Sequence, residues 1–366
     1  MNKKLFSVFG ILLVFSLLLG ACGSSSAEAS VAENFVLEPA KEIVFYNWSE
    51  YIDPEIYALF EQETGIKVVE DNFSSNEEML VKLQTGSQDY AIIVPSDYAV
   101  SILKDKGLIL PLEQENVPNL VNLSMQFQQL PYDMGNQYCA PYLWGSTGIG
   151  YVADKVEKPQ SWSVFFDDAE RAKYSGRMTM LDDLRETFAA ALIYLGYDIN
   201  TTNRAQLKEA QELLIGAQRD LAGYDSERYD DALASGENLV AHGWSGDFLM
   251  AQEENPQIAF TIPQEGGVMW VDNLCIPASV SAEEKLAAEM FINFLLRADI
   301  GAMLAEYNQD ASPNEAAEAL LSEEFLTNPA IYPPKDVLEK LQYIHPLNEQ
   351  TEAIYQDMWL EIKSAK

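Results

Sequence analysis

The chain has 366 residues, 48% of them hydrophobic, which is enough for two domains around a large core. It carries 57 Asp and Glu residues against 23 Lys and Arg residues, a formal net charge of −34 at pH 7. A field of this sign repels nucleic acid and anionic lipid and attracts cations, so we expect no nucleic acid partner. Acidity also serves solubility, and alone it does not identify a cationic ligand.

The N-terminal segment has the layout of a secretory signal. Lys3 and Lys4 precede an apolar stretch, residues 5–19, that is shorter than the roughly 20 residues needed to span a membrane. The stretch ends in LGAC, with the cysteine at position 22, which resembles the cleavage box of lipoprotein signal peptidase. This resemblance implies that Cys22 becomes the lipidated first residue of the mature chain. The alternatives are an ordinary secretory signal and an uncleaved anchor.

Small and polar residues follow Cys22. The segment GSSSAEAS, residues 23–30, is poor in core-forming side chains and predicts a flexible spacer. We therefore assign residues 1–21 to a lipoprotein signal peptide and residues 22–41 to a flexible tether. The mature chain would then be extracytoplasmic and anchored to the cell membrane by its lipid, since no later apolar run is long enough to cross a membrane.

Cys139 and Cys275 are the two cysteines that remain after Cys22. Two cysteines do not form a disulfide framework, and although they could pair in an oxidising compartment, we favour two buried free thiols. The two histidines, His242 and His345, lie far apart in the sequence, which shows neither a zinc-binding pattern nor a Cys-His dyad. We expect no metal and no cofactor.

The first part of the mature chain alternates between strands and helices. Ile56, Leu59 and Phe60 recur at helical spacing, and Ser75 with Glu78 has the pattern of a capping box. The predicted elements are strands at Glu42–Trp48, Ile66–Val69 and Tyr90–Val94, with helices at Pro54–Thr64 and between Ser75 and Gly86. This βαβαβ order predicts an open α/β sheet.

The rest of the chain repeats this order and then becomes helical. The predicted strands are Arg177–Leu181, Asn238–His242, Ile258–Ile262 and Met269–Ile276. The predicted helices are Leu184–Leu195, Arg204–Gln218, Gly246–Glu253, Ala282–Leu296, Pro313–Leu321 and Gln350–Ser364. Two α/β units and a helical tail predict a two-lobed protein of the α/β class.

Aromatic, hydroxyl and carboxylate residues recur where predicted strands end, which is where open α/β sheets bind ligands. They are found in WSEY (residues 48–51), PSDY (95–98), LDD (181–183) and GWSGD (243–247), while Trp270 and Asp272 lie inside a later strand. A flexible aliphatic polycation needs such a set, because rings cover its methylenes and carboxylates or ring faces meet its ammonium groups. A sugar site would need fewer acids, and a ferric site would cluster tyrosines.

Each of these residues has a structural alternative. A tryptophan at a strand end is often a core residue, and Asp183 with Glu186 has the spacing of a helix N-cap and its capping box. Asp247 would lie in the first turn of a helix, where the helix dipole favours acids. Asp272 is harder to explain structurally, because a carboxylate buried in an apolar strand is costly without a partner.

These segments together resemble the spermidine/putrescine-binding proteins of bacterial ABC importers, from about Glu42 to the end of the chain. The similar segments are FYNWSEYI (45–52), ETGIKV (63–68), VPSDY (94–98), APYLWGSTGIGY (140–151), LDDLRETF (181–188), PQEGGVMWVDNLCIP (263–277) and INFLLR (292–297). The resemblance implies a two-lobed periplasmic-binding-protein fold of type II-like topology, with ligand in the interlobe cleft and hinge closure. We predict lobe 1 at residues 42–147 and 271–317, and lobe 2 at 148–270 and 318–366.

The resemblance also implies which residues bind the ligand. Lobe 1 would contribute Trp48, Ser49, Tyr51, Ser96 and Tyr98, and lobe 2 would contribute Asp183, Glu186, Trp244 and Trp270. Asp272 would bind an amine near the hinge, and Gln342 would meet one end of a longer ligand.

Two acids depart from the patterns within the resembling family. Asp310 stands where spermidine-preferring members have a tyrosine, and Asp247 is a feature of the putrescine-preferring branch. Tyr98, Asp183 and Trp270 are similar to the spermidine branch. We therefore expect spermidine to be preferred, with putrescine and spermine open.

The resemblance implies a substrate-capture subunit of an ABC importer rather than an enzyme. Its partners would be a polyamine, the permease subunits of the transporter and the membrane, reached through lipid on Cys22; we expect a monomer. The alternatives are a carboxylate-dependent hydrolase using Asp183 and Glu186, and a sugar- or iron-binding protein of the same architecture.

We predict that Cys22→Ala abolishes lipid attachment, because nothing after residue 22 is apolar enough to anchor the chain. Detergent-phase partitioning of the expressed protein measures this. The parent and a Ser24→Ala control should enter the detergent phase and Cys22→Ala the aqueous phase; a variant that stays with the detergent would contradict lipidation.

Overall fold

A computed structural model of the chain describes residues 37–86 and 89–365. The predicted signal peptide, Cys22 and the tether as far as residue 36 lie outside the described residues. The end of the predicted tether is described, and there the Ala40 N–H donates to the Glu283 carbonyl at 2.9 Å.

Ten strands of the described chain form one mixed sheet in the order β2-β1-β3-β10-β5-β8-β6-β7, with β4 paired to β10 and β9 to β5. The strands are β1 (Glu42–Trp48), β2 (Lys67–Phe73), β3 (Ile92–Ile93), β4 (Ile109–Leu110), β5 (Cys139–Val152), β6 (Met178–Met180), β7 (Gly223–Tyr224), β8 (Val240–Trp244), β9 (Ile258–Thr261) and β10 (Val268–Pro277).

Fifteen α-helices are described, and none of them is long and apolar enough to cross a bilayer. They are α1 (Pro54–Thr64), α2 (Asn76–Thr85), α3 (Asp97–Asp105), α4 (Ser163–Phe166), α5 (Asp168–Arg171), α6 (Leu184–Tyr194), α7 (Arg204–Gln218), α8 (Tyr229–Ala234), α9 (Ser245–Glu254), α10 (Ala282–Leu295), α11 (Ala298–Asn308), α12 (Glu315–Glu318), α13 (Glu323–Leu326), α14 (Lys335–Leu338) and α15 (Glu349–Ser364). Short 3-10 helices occupy Pro118–Asn122 and Ala172–Tyr174.

The predicted βαβαβ unit is confirmed, since β1 pairs in parallel with both β2 and β3. Successive side chains of a strand point to opposite faces, and both faces of β1 are covered. On one face Phe45 packs with Phe60 and Phe291, and on the other Tyr46 packs with Phe73. Burial on both faces explains why residues 43–46 form a continuous apolar run in the sequence.

Two long antiparallel strands, β5 and β10, join the parallel group β2-β1-β3 to the group formed by β8, β6 and β7. Every residue of both strands is buried. Their register shifts between Val271 and Asn273, where Tyr142 and Leu143 of β5 stand opposite the single residue Asp272, so the bulge lies on β5 and faces Asp272. The predicted lobe boundaries at 147/148 and 270/271 fall inside these strands, and the one at 317/318 falls in α12; all three remain a prediction.

The prediction of free thiols was wrong. Cys139 and Cys275 lie directly opposite each other on β5 and β10, with their Cα atoms 4.5 Å apart, and form a disulfide. Their separation of 136 residues hid this proximity, because only the pairing of the two strands brings them together. The bond therefore closes a large loop and fastens together the strands that connect the two parts of the sheet.

We predict that Cys139→Ala lowers the free energy of unfolding by about 2–4 kcal/mol, since a long loop is no longer closed in the unfolded chain. Denaturant unfolding with and without reductant measures this. Cys139→Ala combined with Cys275→Ala should cost little more than either change alone, because the first already breaks the bond. Equal sensitivity of parent and variant to reductant would contradict the prediction.

Candidate functional site

Twelve of the thirteen predicted ligand-binding residues line one cavity of about 380 Å³. They come from the ends of β1, β6 and β8, the start of α3, the middle of β10 and the segment after α11. The twelve are Trp48, Ser49, Tyr51, Ser96, Tyr98, Asp183, Glu186, Trp244, Asp247, Trp270, Asp272 and Asp310. Their common location agrees with the sequence analysis, and their part in binding stays a prediction.

Gln342, the thirteenth, is not among the lining residues. Its side-chain oxygen accepts a hydrogen bond from the Ile199 N–H at 3.4 Å, and its backbone bonds to Gly267 and Met269 at the start of β10. Ile344, two residues later, does line the cavity. A role for Gln342 at the ligand's end stays a prediction.

Three tryptophans from separate elements give the cavity an apolar wall. Trp48 is held by a hydrogen bond of 2.9 Å from its Nε1 to the Val94 carbonyl, and its ring lies 6.2 Å from that of Trp244. The Trp270 ring lies against β5 at Gly145, where a Cβ atom would come within 2.4 Å of the ring. Glycine at this position therefore lets the ring approach the strand.

The start of α6 supplies two acids that differ in their partners. Oδ1 of Asp183 accepts the N–H groups of Arg185 and Glu186, both at 2.9 Å, so Asp183 is the helix N-cap that the sequence left open. Glu186 does not complete a capping box. Its buried Oε2 has no hydrogen-bond partner among the described residues, although the side chains of Thr147 and Trp244 lie close enough to the carboxylate to favour its charged form.

Asp272 lies in the middle of β10, opposite the bulge on β5, and is only 6% exposed. At this point β10 bridges to Ser96, at the start of α3. The Ser96 hydroxyl donates to Oδ1 of Asp272 at 2.7 Å and accepts from the Asn76 side-chain amide at 3.0 Å. One oxygen of Asp272 is thus positioned by the protein.

The start of α9 brings two further acids together. Asp247 in its first turn accepts a hydrogen bond from the Tyr229 hydroxyl. Asp310, which follows the left-handed residue Gln309 (φ 54°), lies against Gly246 and is 3% exposed. Oδ1 of Asp310 makes no well-formed hydrogen bond in the described chain, although the nearby Gly246 N–H partly offsets the effect of burial on the pKa of Asp310.

Burial raises the pKa values of these acids. It raises the pKa of Asp272 to about 7, and burial with the neighbouring Asp230 does the same for Asp247. Burial together with nearby carboxylates also raises the pKa values of Glu186 and Asp310. Each of these acids is therefore costly to ionise unless a cation enters.

One basic side chain, Arg228, lines the cavity, and it pairs with Asp231 at 3.8 Å. Arg185 is buried close by, between the rings of Tyr98 and Tyr355. Its guanidinium donates to the His345 carbonyl at 3.1 Å and to the Asn200 side chain at 3.2 Å, not to a carboxylate. Within the described residues no ion pair involves Asp183, Glu186, Asp247, Asp272 or Asp310.

The sequence analysis missed several lining residues. Asp97, 4% exposed, stands between two predicted residues and could have been included on that ground. Glu50, with a left-handed backbone (φ 56°), also stands between predicted residues. No sequence signal marks Asn308 or the acidic segment 226–231, part of which forms the cavity rim, because tertiary packing alone brings them there.

We predict that the unliganded protein loses stability as the pH rises from 5 to 8. Asp247 and Asp272 have pKa values of about 7 when folded, against about 3.9 when unfolded, so their stabilising contribution is full below about pH 4 and is lost through pH 7. Calorimetric melting at several pH values measures this.

The matched control for this measurement is the double variant Asp247→Asn with Asp272→Asn, which keeps the shape of both side chains. General repulsion among the other acids also rises with pH, so only the difference between parent and variant reports on the cavity. An identical pH dependence in both proteins would contradict the assignment.

Known proteins are similar to this chain over most of its length. The family model described as bacterial extracellular solute-binding protein matches residues 55–333. A spermidine/putrescine-binding periplasmic protein of Salmonella typhimurium is 33% identical over 349 residues, covering 94% of this chain and 96% of that protein.

Two solved structures have a similar fold. One, of a spermidine/putrescine ABC transporter from Listeria monocytogenes, is 33% identical with a TM-score of 0.84, over 89% of this chain and 100% of that one. The Tp0655 (TpPotD) lipoprotein of Treponema pallidum is 29% identical with a TM-score of 0.76, over 88% and 99%. The predicted two-lobed α/β fold is confirmed, and the chain belongs to the bacterial extracellular solute-binding protein family.

Proposed function

We propose that this chain is the polyamine-binding capture subunit of an ABC importer, and that it prefers spermidine to putrescine. The observation that carries the proposal is the cavity, in which three tryptophans face five carboxylates that form no ion pair within the described chain. Hinge closure of the two lobes around the ligand would complete the site.

The two kinds of side chain match the two parts of a polyamine. Aromatic rings cover the methylenes, and a cation over a ring face contributes about 0.5–2 kcal/mol. Charge-assisted hydrogen bonds to carboxylates are roughly twice as strong as neutral ones. Binding would also relieve the cost of holding Asp272 and Asp310 close together, each 94% or more buried.

The relatives support this proposal. The Salmonella typhimurium protein is named for spermidine and putrescine binding, and it aligns with 94% of this chain. The Treponema pallidum relative is described as a lipoprotein, which supports lipid anchoring through Cys22. We infer an extracytoplasmic, monomeric protein that releases its ligand unchanged to permease subunits.

The hydrolase alternative is less well supported. A carboxylate pair for glycoside hydrolysis needs both groups free to act on the substrate. Asp183 instead caps α6 through two backbone N–H groups, so its Oδ1 is already committed. Sugar binding would leave the unpaired carboxylates without a cation. Iron binding is less well supported because the described residues contain no group of three or more His, Cys, Asp or Glu side chains placed to hold a metal ion.

We predict that Asp272→Asn weakens spermidine and putrescine alike, by about 2–5 kcal/mol, because it removes the charge from a buried pair that any linear polyamine must form. Asp247→Asn should affect the two ligands unequally, since this acid lies to one side of the cavity. Titration calorimetry at fixed salt measures both.

The exposed Asp336→Asn, outside the cavity lining, serves as the charge-matched control and should bind both ligands like the parent. If Asp272→Asn binds both ligands like the parent, Asp272 is not the carboxylate that binds the amine.

A further inference from the structure

We propose that Arg185 and Tyr98 form a latch that holds the two lobes closed around a bound ligand. The latch would determine how slowly the ligand leaves, without favouring one ligand over another. This inference rests on the proposed polyamine function and adds a positioning residue, Arg185, that does not touch the ligand.

The two residues of the latch come from different parts of the sheet. Tyr98 lies in the first turn of α3, which follows β3 in the group β2-β1-β3. Arg185 lies in the first turn of α6, which follows β6 in the group of β8, β6 and β7. The guanidinium carbon is 5.7 Å from the centre of the Tyr98 ring, a distance at which a cation is attracted to a ring face. The contact therefore crosses from one predicted lobe to the other.

Each residue of the latch is also held on its own side of the cleft. The guanidinium donates to the His345 carbonyl at 3.1 Å and lies 5.5 Å from the centre of the Tyr355 ring. The Tyr98 hydroxyl donates to Oε1 of Glu77, on α2, at 3.1 Å. Because each side chain has partners on its own side, opening of the lobes would separate the two without displacing either.

Acids from both sides meet at this end of the cleft, which makes closure costly. Burial and the charge of Asp183, at the start of α6, raise the pKa of Glu77 to about 7. The charge of Arg185 acts in the opposite direction and partly offsets the effect of burial on the pKa of Asp183. A fixed cation beside two facing acids therefore lowers the electrostatic cost of closing the lobes.

The charge of Arg185 separates this role from ligand binding. Among the described residues, Tyr98 and Asp183 line the cavity and Arg185 does not. A guanidinium would also repel a cationic ligand, so removing its charge should slow ligand release on electrostatic grounds alone. Loss of a contact that exists only in the closed form should instead speed release. The two roles thus predict changes of opposite sign.

The test follows the release of spermidine and of putrescine by stopped-flow fluorescence of the tryptophans in the cavity wall. Arg185→Gln removes the charge and keeps a side-chain amide that can donate a hydrogen bond. We expect release of both ligands to become roughly tenfold faster, in the range expected for a lost cation–π contact, with little change in association. The control Arg177→Gln makes the same charge change at an exposed residue outside the cavity lining and should release both ligands like the parent.

A double-mutant cycle with Tyr98→Leu separates a latch from a purely structural role. In the Tyr98→Leu background, Arg185→Gln should speed release by less than about twofold, because the latch is already absent. In the ligand-free protein the proposed latch is open, so the effects of the two changes on the free energy of unfolding should add.

Release by Arg185→Gln at the parent's rate, or more slowly, would overturn the latch and leave the polyamine function standing. An equal acceleration with and without Tyr98→Leu would do the same. If the parent binds no polyamine, the proposed function and the latch are both overturned. Where Arg185→Gln fails to fold, Arg185→Lys replaces it and should speed release at least about twofold, since an ammonium lacks the planar group that stacks on a ring. Parent-like release by Arg185→Lys would then overturn the latch.

Discussion

Buried negative charge without a protein cation is the constraint that organises this molecule. Asp272, Asp310 and Glu186 are each at least 94% buried at the cavity, and no described ion pair neutralises them. Such charge is tolerated only if the acids take up protons, as their raised pKa values indicate, or if a ligand brings the opposite charge. The buried acids that lower the stability of the unliganded protein therefore contribute to the free energy of binding a cationic ligand.

The fold holds these acids in place at modest cost. Asp183 and Asp247 lie at the starts of α6 and α9, where the helix dipole favours negative charge. The hydrogen bond from Ser96 holds the Asp272 side chain in place, and the disulfide between β5 and β10 joins the strand that carries Asp272 to its neighbour. Because β5 and β10 join both parts of the sheet, the proposed hinge closure would leave Asp272 in place. The acids at the starts of α6 and α9 would then approach the ligand.

Local pattern was enough to predict much of the fold and most of the site. The predictions for β1, α1 and α7 are confirmed at both ends, because caps and apolar periodicity are encoded within each segment. The ligand residues at strand ends followed from where open sheets bind. In contrast, β5 was not predicted as a strand, since its Pro141 and its glycines weaken the strand signal and only pairing on both edges stabilises it.

Features that depend on long-range register could not be predicted. The disulfide joins residues 136 positions apart, and Asn308 reaches the cavity only because the C-terminal end of α11 packs on α9. The predicted helix Pro313–Leu321 shrinks to Glu315–Glu318, where Asn314 provides the cap. Because the Asn314 side chain caps the helix from inside the predicted range, the helix begins later than the apolar pattern predicts.

The most direct test is calorimetric titration of spermidine at pH 6.5 in two buffers that differ in ionisation enthalpy. Spermidine is already protonated at this pH, whereas Asp247 and Asp272, with pKa values of about 7, are largely neutral. The account predicts saturable binding that releases protons, as the acids ionise to meet the ligand. Absence of binding, or binding without proton release, would contradict it.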